Sequence, residues 1–382
     1  MSSTAGYTGH LGPARASVVV AGETDRRNGD PNLERTRRPS SVWSDDGDAE
    51  WNIGLRKGVG LGMAGSTMQA VRFDRYGEVD VLNVVEVPRP HPGPGRVVVD
   101  VIAAAINPGE ASIRRGLLHD RWPTTFPSGE GSDLAGVIAE IGEGVDGVAV
   151  GDEVIGWSDE RSSHAEVVSL PGDQVVPKPP TVPWEAAGSL YVAGATAWAT
   201  VKSVWLKPGE VVAISGAAGG VGSIAIQLAR RLGATVLGIA GAGNSDWLKS
   251  MDTIPAVYGE GLGERLRAAA GGRIDAFIDC FGGGYVDLAV DELGVRPDRV
   301  DTIIDQEAGA RLGTHVDGMS TVDDVGRVIS ELASLIEQGE LSVPIAATFA
   351  LQDVRQAYEL LEQRHTRGKI VLAIGNASRA RT

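Results

Sequence analysis

A single cysteine, Cys280, stands in 382 residues. It excludes an internal disulfide framework and any metal site built from several thiolates. No run of about 18 apolar residues occurs, which excludes a spanning helix. Positive charge is scarce too: 35 Lys+Arg face 50 Asp+Glu, a net charge of −15. Nucleic acid and anionic membranes select a basic face, so neither is expected as a partner. The start has no charged n-region followed by an apolar h-region, so no secretory signal is expected. The expectation is a soluble cytoplasmic protein. Hydrophobic residues make up 42% and charged residues 22%, an ordinary globular balance, and the length suits two domains with a core each.

Residues 1–68 read differently from the rest. They carry eight basic and eight acidic residues, so the whole net charge lies in 69–382. Gly, Ser, Pro and Arg dominate, and the only notable apolar run is 18–21, too short for a core. The segment is expected to be disordered. Met63 and Met68 lie just before the first strand-like pattern, so a translation start at one of them is expected; the alternative is a regulatory or docking tail.

From residue 69 the pattern becomes regular. Residues 69–73, 81–87, 97–105, 135–141, 153–155 and 165–169 read as strands, punctuated by Tyr76-Gly77, the proline-rich 88–94, Gly142-Glu143-Gly144 and Gly151-Asp152. After residue 182 the grammar changes. Residues 183–203 read as helix, 211–215 as strand, 224–232 as helix with one apolar face, and 235–239 as strand. Helix 264–270, strand 276–279, helix 286–293 and strand 300–304 follow. Such alternation implies a parallel sheet with crossover helices. The fold class is therefore α/β: a β-rich first domain and a doubly wound second one.

The sharpest local signal is Ser215-Gly216-Ala217-Ala218-Gly219-Gly220-Val221-Gly222, set between a strand and a helix. Gly216 permits the tight turn, Gly219 lets backbone N–H groups approach a pyrophosphate, and Gly222 lets the helix pack closely on the sheet. The spacing is GxxGxxG; the strand–turn–helix context makes it a dinucleotide signal. An acid about twenty residues on usually holds the ribose 2′-OH of NAD. Here 239–245 ends neutral, and no acid appears before Asp246. That favours NADP(H). No Arg or Lys occurs at 241–245, so Asn244, Ser245 and Tyr258 are candidate donors to the 2′-phosphate, and Lys369 a candidate charge if the chain end folds back. The alternative for each is a solvated loop residue.

A β-rich domain followed by GAAGGVG resembles the medium-chain dehydrogenase/reductase superfamily, in its zinc-independent quinone-oxidoreductase branch. The likeness runs from about Met68 to Gly375. It is carried by Ile106-Asn107-Pro108, Arg114-Arg115-Gly116, Gly131 to Val137, Gly142 to Val145, Val150 to Val154, Thr196-Ala197-Trp198, the glycine turn, and Gly368 to Leu372. The resemblance implies a GroES-like catalytic domain at 69–190 completed by 317–375, a Rossmann domain at 191–316, and an active site in the cleft between them. It also implies a homodimer that reduces a small electrophilic substrate, such as a quinone or enone, with NADPH.

Zinc is not expected. The family's cysteine ligand would fall near Pro108–Glu110, where no Cys stands, and the Gly-His-Glu motif is here Gly131-Ser132-Asp133. Cys280 is expected as a small core residue, and His164 as a packing or surface residue, the alternative being a residue that lines the cleft. Two catalytic candidates follow from the resemblance. Asn107 would hold the ribose or polarise a substrate carbonyl, the alternative being a turn residue before Pro108. Thr196 would bond the nicotinamide carboxamide, the alternative being a hydroxyl bonding its own helix. Gly282 and Gly283 would pass near a cofactor ribose, and Thr302 to Asp305 would end a strand at the cofactor edge. Trp122 and Phe126 would wall the pocket. The tyrosine many quinone reductases carry two residues before the arginine is here Ser112, so a phenol donor is missing and the proton is expected from solvent. The rival readings are an enoyl-thioester or tailoring reductase and a non-catalytic NADPH-binding sensor.

Overall fold

The computed structural model describes residues 66–375. Residues 1–65 of the expected disordered extension lie outside the described residues. Thr67 and Met68, assigned to that extension from sequence, instead begin the first strand, β1 (Thr67–Phe73), where Met68 is buried.

The β-rich part continues with β2 (Asn83–Pro88), β3 (Arg96–Ala105), α1 (Pro108–Arg114), β4 (Ser128–Gly129), β5 (Asp133–Ile141), β6 (Glu153–Trp157), β7 (Val167–Pro171) and β8 (Val175–Pro177). β1 is the centre of a small sheet, β2-β1-β4. β3, β5, β6, β7 and β8 form most of a second sheet, in which β3 pairs antiparallel with β5 and β7. β3 and β5 are both largely buried, which is why 97–105 reads as an almost unbroken apolar run. The single helix expected at 183–203 is two, α2 (Trp184–Ala187) and α3 (Val192–Ser203). The break contains Gly188, whose Cα lies so close to β3 that a Cβ would meet the Ala103 carbonyl at 2.5 Å.

The second half holds β9 (Val211–Ser215), α4 (Gly220–Arg231), β10 (Thr235–Ala240), α5 (Ser245–Ser250), β11 (Ile254–Val257), α6 (Leu262–Ala269), β12 (Ala276–Asp279), α7 (Tyr285–Asp287), β13 (Val300–Thr302) and α8 (Gln306–Leu312). The five strands form an all-parallel sheet in the order β11-β10-β9-β12-β13. Alternate residues of β9 serve opposite cores: Val212 and Ile214 pack with Leu228 and Leu332, while Ala213 packs with Leu266 and Phe277. Both faces are therefore covered by helices, the doubly wound arrangement expected from sequence. The helix expected at 286–293 is α7 followed by one π-helical turn, Leu288–Glu292.

The chain then returns to the first part. α9 (Val325–Glu337) packs on α3, and β14 (Ile345–Ala350), α10 (Val354–Glu362) and β15 (Lys369–Ala373) follow. β15 pairs antiparallel with β3 and parallel with β14, which completes the seven-stranded sheet. Just before β15, Gly368 N donates to Ala218 O at 2.8 Å, and Gly368 forms an isolated bridge with Gly219. The seven-stranded sheet is thus tied by backbone to the glycine turn. No helix among the described residues is long and apolar enough to cross a membrane.

Candidate active site

The glycine turn carries out the steric roles read from its spacing. Gly216 has φ +58°, in the left-handed region. A Cβ on Gly222 would collide with the Gly216 carbonyl oxygen, so the first turn of α4 lies directly on the end of β9. Gly219 caps α4 with no side-chain acceptor, which leaves the helix N–H groups and the positive end of its dipole available to an anion.

The neighbouring loops at the carboxyl edge are fixed by one buried carboxylate. Asp279 Oδ1 accepts from Ser215 Oγ (2.5 Å), Phe281 N (3.0 Å) and Gly282 N (2.9 Å), and Oδ2 accepts from Thr302 Oγ1 (2.9 Å). Thr302 Oγ1 in turn accepts from Asp305 N at 3.0 Å. Gly282, Gly283 and Gly284 all have φ between +77° and +87°, so this loop requires glycine. Cys280 follows β12 and packs half-buried against the core, and burial pushes its thiol well up. It is a packing residue, as expected.

At the end of β10, the Tyr258 ring lies over Gly241. Asn244 Oδ1 accepts from Arg367 Nε at 2.9 Å, and the Arg367 guanidinium stands 5.6 Å from the Trp247 ring centre. Arg367 thus brings a guanidinium to a loop that has no Lys or Arg of its own at 241–245. It arrives from the segment between α10 and β15, more than 120 residues away in sequence. Arg364 of the same segment donates to Phe281 O (2.6 Å) and stacks on the Phe281 ring.

Lys369 requires a correction. The chain end does fold back onto the turn, but Lys369 points away from β10. Its stem packs on Gly220, and its Nζ donates to Asn107 Oδ1 (2.5 Å) and Ile106 O (3.2 Å) in the β-rich part. Asn107 requires one as well. It caps α1, and its Nδ2 donates to Asp133 Oδ2 (2.7 Å) and Glu110 Oε1 (3.0 Å). Both amide hydrogens are committed, so Asn107 has none left to polarise a substrate carbonyl. The flanking carboxylates and the ammonium fix which end of the amide is oxygen.

The cluster continues inward. Glu110 also accepts from Asn107 N (2.8 Å), Ser132 N (2.9 Å) and Tyr358 Oη (2.8 Å), and Asp133 Oδ1 accepts from Val192 N (3.1 Å) at the start of α3. Burial raises Asp133, while Lys369 opposes the shift; burial lowers Lys369, while Asp133 and Glu110 hold it up. Glu130 is pushed up to about 8 by burial, with the charge of Glu110 adding and Arg114 opposing. Buried Arg114 pairs with Glu130 (3.4 Å) and Glu362 (2.9 Å) and stacks on Tyr358. His164 is wholly buried and lowered by burial; its Nε2 lies 3.2 Å from Ala105 O. It is a packing histidine beneath Gly131.

Thr196 is buried on α3, the helix that Val192 ties to Asp133. Ser112 Oγ donates to Pro108 O at 3.2 Å. Phe126 makes edge contacts with Phe73 and Tyr76, and Trp122 stacks under Arg121. Among the described residues, no group of three or more His, Cys, Asp or Glu is placed to hold a metal. Asn107 bridges Glu110 and Asp133, and Ser132 N donates to Glu110, so these residues form one hydrogen-bonded cluster.

Comparison with known proteins agrees with this architecture. Residues 93–180 match the alcohol dehydrogenase GroES-like domain, and 251–372 match the zinc-binding dehydrogenase domain. The quinone oxidoreductase of Salmonella typhimurium is 27% identical over 325 residues, covering 79% of this chain and 98% of that protein. The chloroplast envelope quinone oxidoreductase homolog of Arabidopsis thaliana is 31% identical over 231 residues, covering 58% of this chain and 70% of that protein. The structure of Escherichia coli quinone oxidoreductase complexed with NADPH superposes with a TM-score of 0.69 at 26% identity, covering 80% of this chain and 99% of that one.

Proposed function

This chain belongs to the quinone-oxidoreductase-like branch of the medium-chain dehydrogenase/reductase family, and from that premise we propose that it is an NADPH-dependent, metal-free reductase of a quinone, enone or related conjugated carbonyl. One observation carries the reading: the open N-terminus of α4 meets the Asn107–Lys369 cluster through Gly368 and Lys369. A phosphate site and a polar catalytic cluster thus share one boundary, where an α/β sheet binds its ligand.

When bound, the nicotinamide cofactor supplies a hydride. The chain's own residues orient and enclose it. N–H groups of Gly220 to Gly222, left without a side-chain cap, would hold the pyrophosphate. Arg367, held by Asn244, is the charge for a 2′-phosphate, with Ser245 and Tyr258 beside it. Gly282 and Gly283, shaped by Asp279, would border the cofactor, and Thr196 would hold the nicotinamide end. The reading excludes zinc on donor chemistry: catalytic zinc needs thiolate, imidazole or carboxylate ligands, and the carboxylates here are held by Asn107, Tyr358 and backbone N–H groups. With Ser112 in place of a phenol, the proton that completes the reduction comes from solvent. A homodimer is proposed from the family likeness, to be read by sedimentation.

The test follows NADPH and NADH oxidation with a panel of quinones, enals and a 2-enoyl thioester, with a chelator present. Turnover with NADPH that survives the chelator is expected. Activity lost to the chelator and restored by zinc overturns the metal-free reading. NADPH binding without turnover on any acceptor replaces the enzyme by a cofactor-binding sensor.

A further inference from the structure

Lys369 carries three N–H groups, and the protein fills two of them, with Ile106 O and Asn107 Oδ1. It is almost wholly buried, in contact with two carboxylate-bearing residues through Asn107, and its stem lies against Gly220 of the phosphate turn. It therefore reaches from the turn that faces the phosphates to the cluster that sequence reading credits with the chemistry. Asn107, whose amide hydrogens are both held by Glu110 and Asp133, is not the outward donor of that cluster.

We infer that Lys369 is the cationic hydrogen-bond donor of the hydride-transfer cleft: it fixes the Asn107 amide and presents its remaining N–H to a hydroxyl or carbonyl oxygen of the cofactor–substrate pair. This rests on the reading of the cleft as a nicotinamide site. The physical reason is desolvation. A buried ammonium keeps its charge only beside compensating groups, and Asp133 and Glu110 supply them through Asn107. A fixed cation in such a site needs no reorganisation when negative charge develops on a nearby oxygen.

The inference separates cleanly from a role at the 2′-phosphate. In Lys369→Met, binding or turnover falls roughly tenfold or more, the scale of a charge-assisted hydrogen bond, by equal factors with NADPH and NADH. Lys369→Arg recovers part of the loss. A weaker Kd for either nucleotide alone places the accepting oxygen on the cofactor. An unchanged Kd with a fallen kcat/KM places it on the substrate. Loss confined to NADPH overturns the inference, as does a Met variant with wild-type Kd, kcat and KM. A readout free of turnover accompanies these: melting of the nucleotide-free protein in a cycle of Lys369→Met and Asp133→Asn. Non-additive shifts are expected, since both residues grip one amide; additive shifts overturn the shared grip. Wild-type protein that binds neither nucleotide overturns the oxidoreductase reading itself, which the Lys369 variants on their own cannot do.

Discussion

Asn107 and Lys369 show how far a residue can be read before its neighbours are known. The resemblance implied a cleft position for Asn107; the structure buries it at the cap of α1, where the direction of its amide depends on Glu110 of the same helix and on Asp133 and Lys369 from two distant places in the chain. Lys369 was legible as a residue near the glycine turn and illegible as to which side it faces. Arg367, two residues earlier, is the cation that reaches Asn244. Arg367→Ala is expected to weaken NADPH binding about tenfold, the loss of a charge-assisted contact, and to leave NADH binding unchanged; titration with both nucleotides checks it. The glycines were the most legible residues, because steric demands are local. Gly222→Ala forces a Cβ onto the Gly216 carbonyl, which is backbone and cannot give way. A loss of about 1–3 kcal/mol is expected from overpacking, with a lower melting temperature and loss of nucleotide binding.

At the scale of elements, burial decided what could be read. β9 and β12 have the bounds expected from sequence, because a parallel strand covered on both faces is a bare apolar run. β11 was not read at all. It contains Pro255, which argues against a central strand, yet it lies at the sheet edge, where proline is tolerated. The strand expected at 165–169 is shifted to Val167–Pro171, while Ala165 instead bridges Ala70 of β1. α9 also escaped the pattern reading, although it is a principal support of α3. Leu332 on α9 is fully buried, and a Cβ on Gly194 of α3 would meet its Cδ1 at 2.7 Å. Leu332→Ala is expected to cost about 2–5 kcal/mol, measured by denaturant unfolding. A loss below 1 kcal/mol would mean that the two helices close over the gap.

Across the whole molecule, the buried charges set a pH dependence that no segment contains alone. Glu130 comes from the loop before β5, Arg114 from α1 and Glu362 from α10. Glu130 stands at about 8 in the folded chain against 4.5 as its ordinary value. The folded state therefore binds more protons than the unfolded one between those values. Its contribution to stability is full below about pH 4.5 and is lost as pH rises through about 8. Glu130→Gln is expected to flatten the fall in melting temperature between pH 6 and 8.5; an unchanged slope would assign the fall to other groups. Asp301, pushed up to about 6 by burial, acts in the same direction at lower pH. By itself, the sequence determined the α/β class, the doubly wound second half, and the dinucleotide turn with its steric logic. These follow from period, composition and local backbone demands. Only the tertiary structure decided that β14 and β15 return to the first sheet, that Arg367 reaches Asn244, and that Lys369 grips Asn107. Each of those is a contact between residues over a hundred positions apart, and a side chain's partner at that separation is fixed by packing, which leaves no local trace in the sequence.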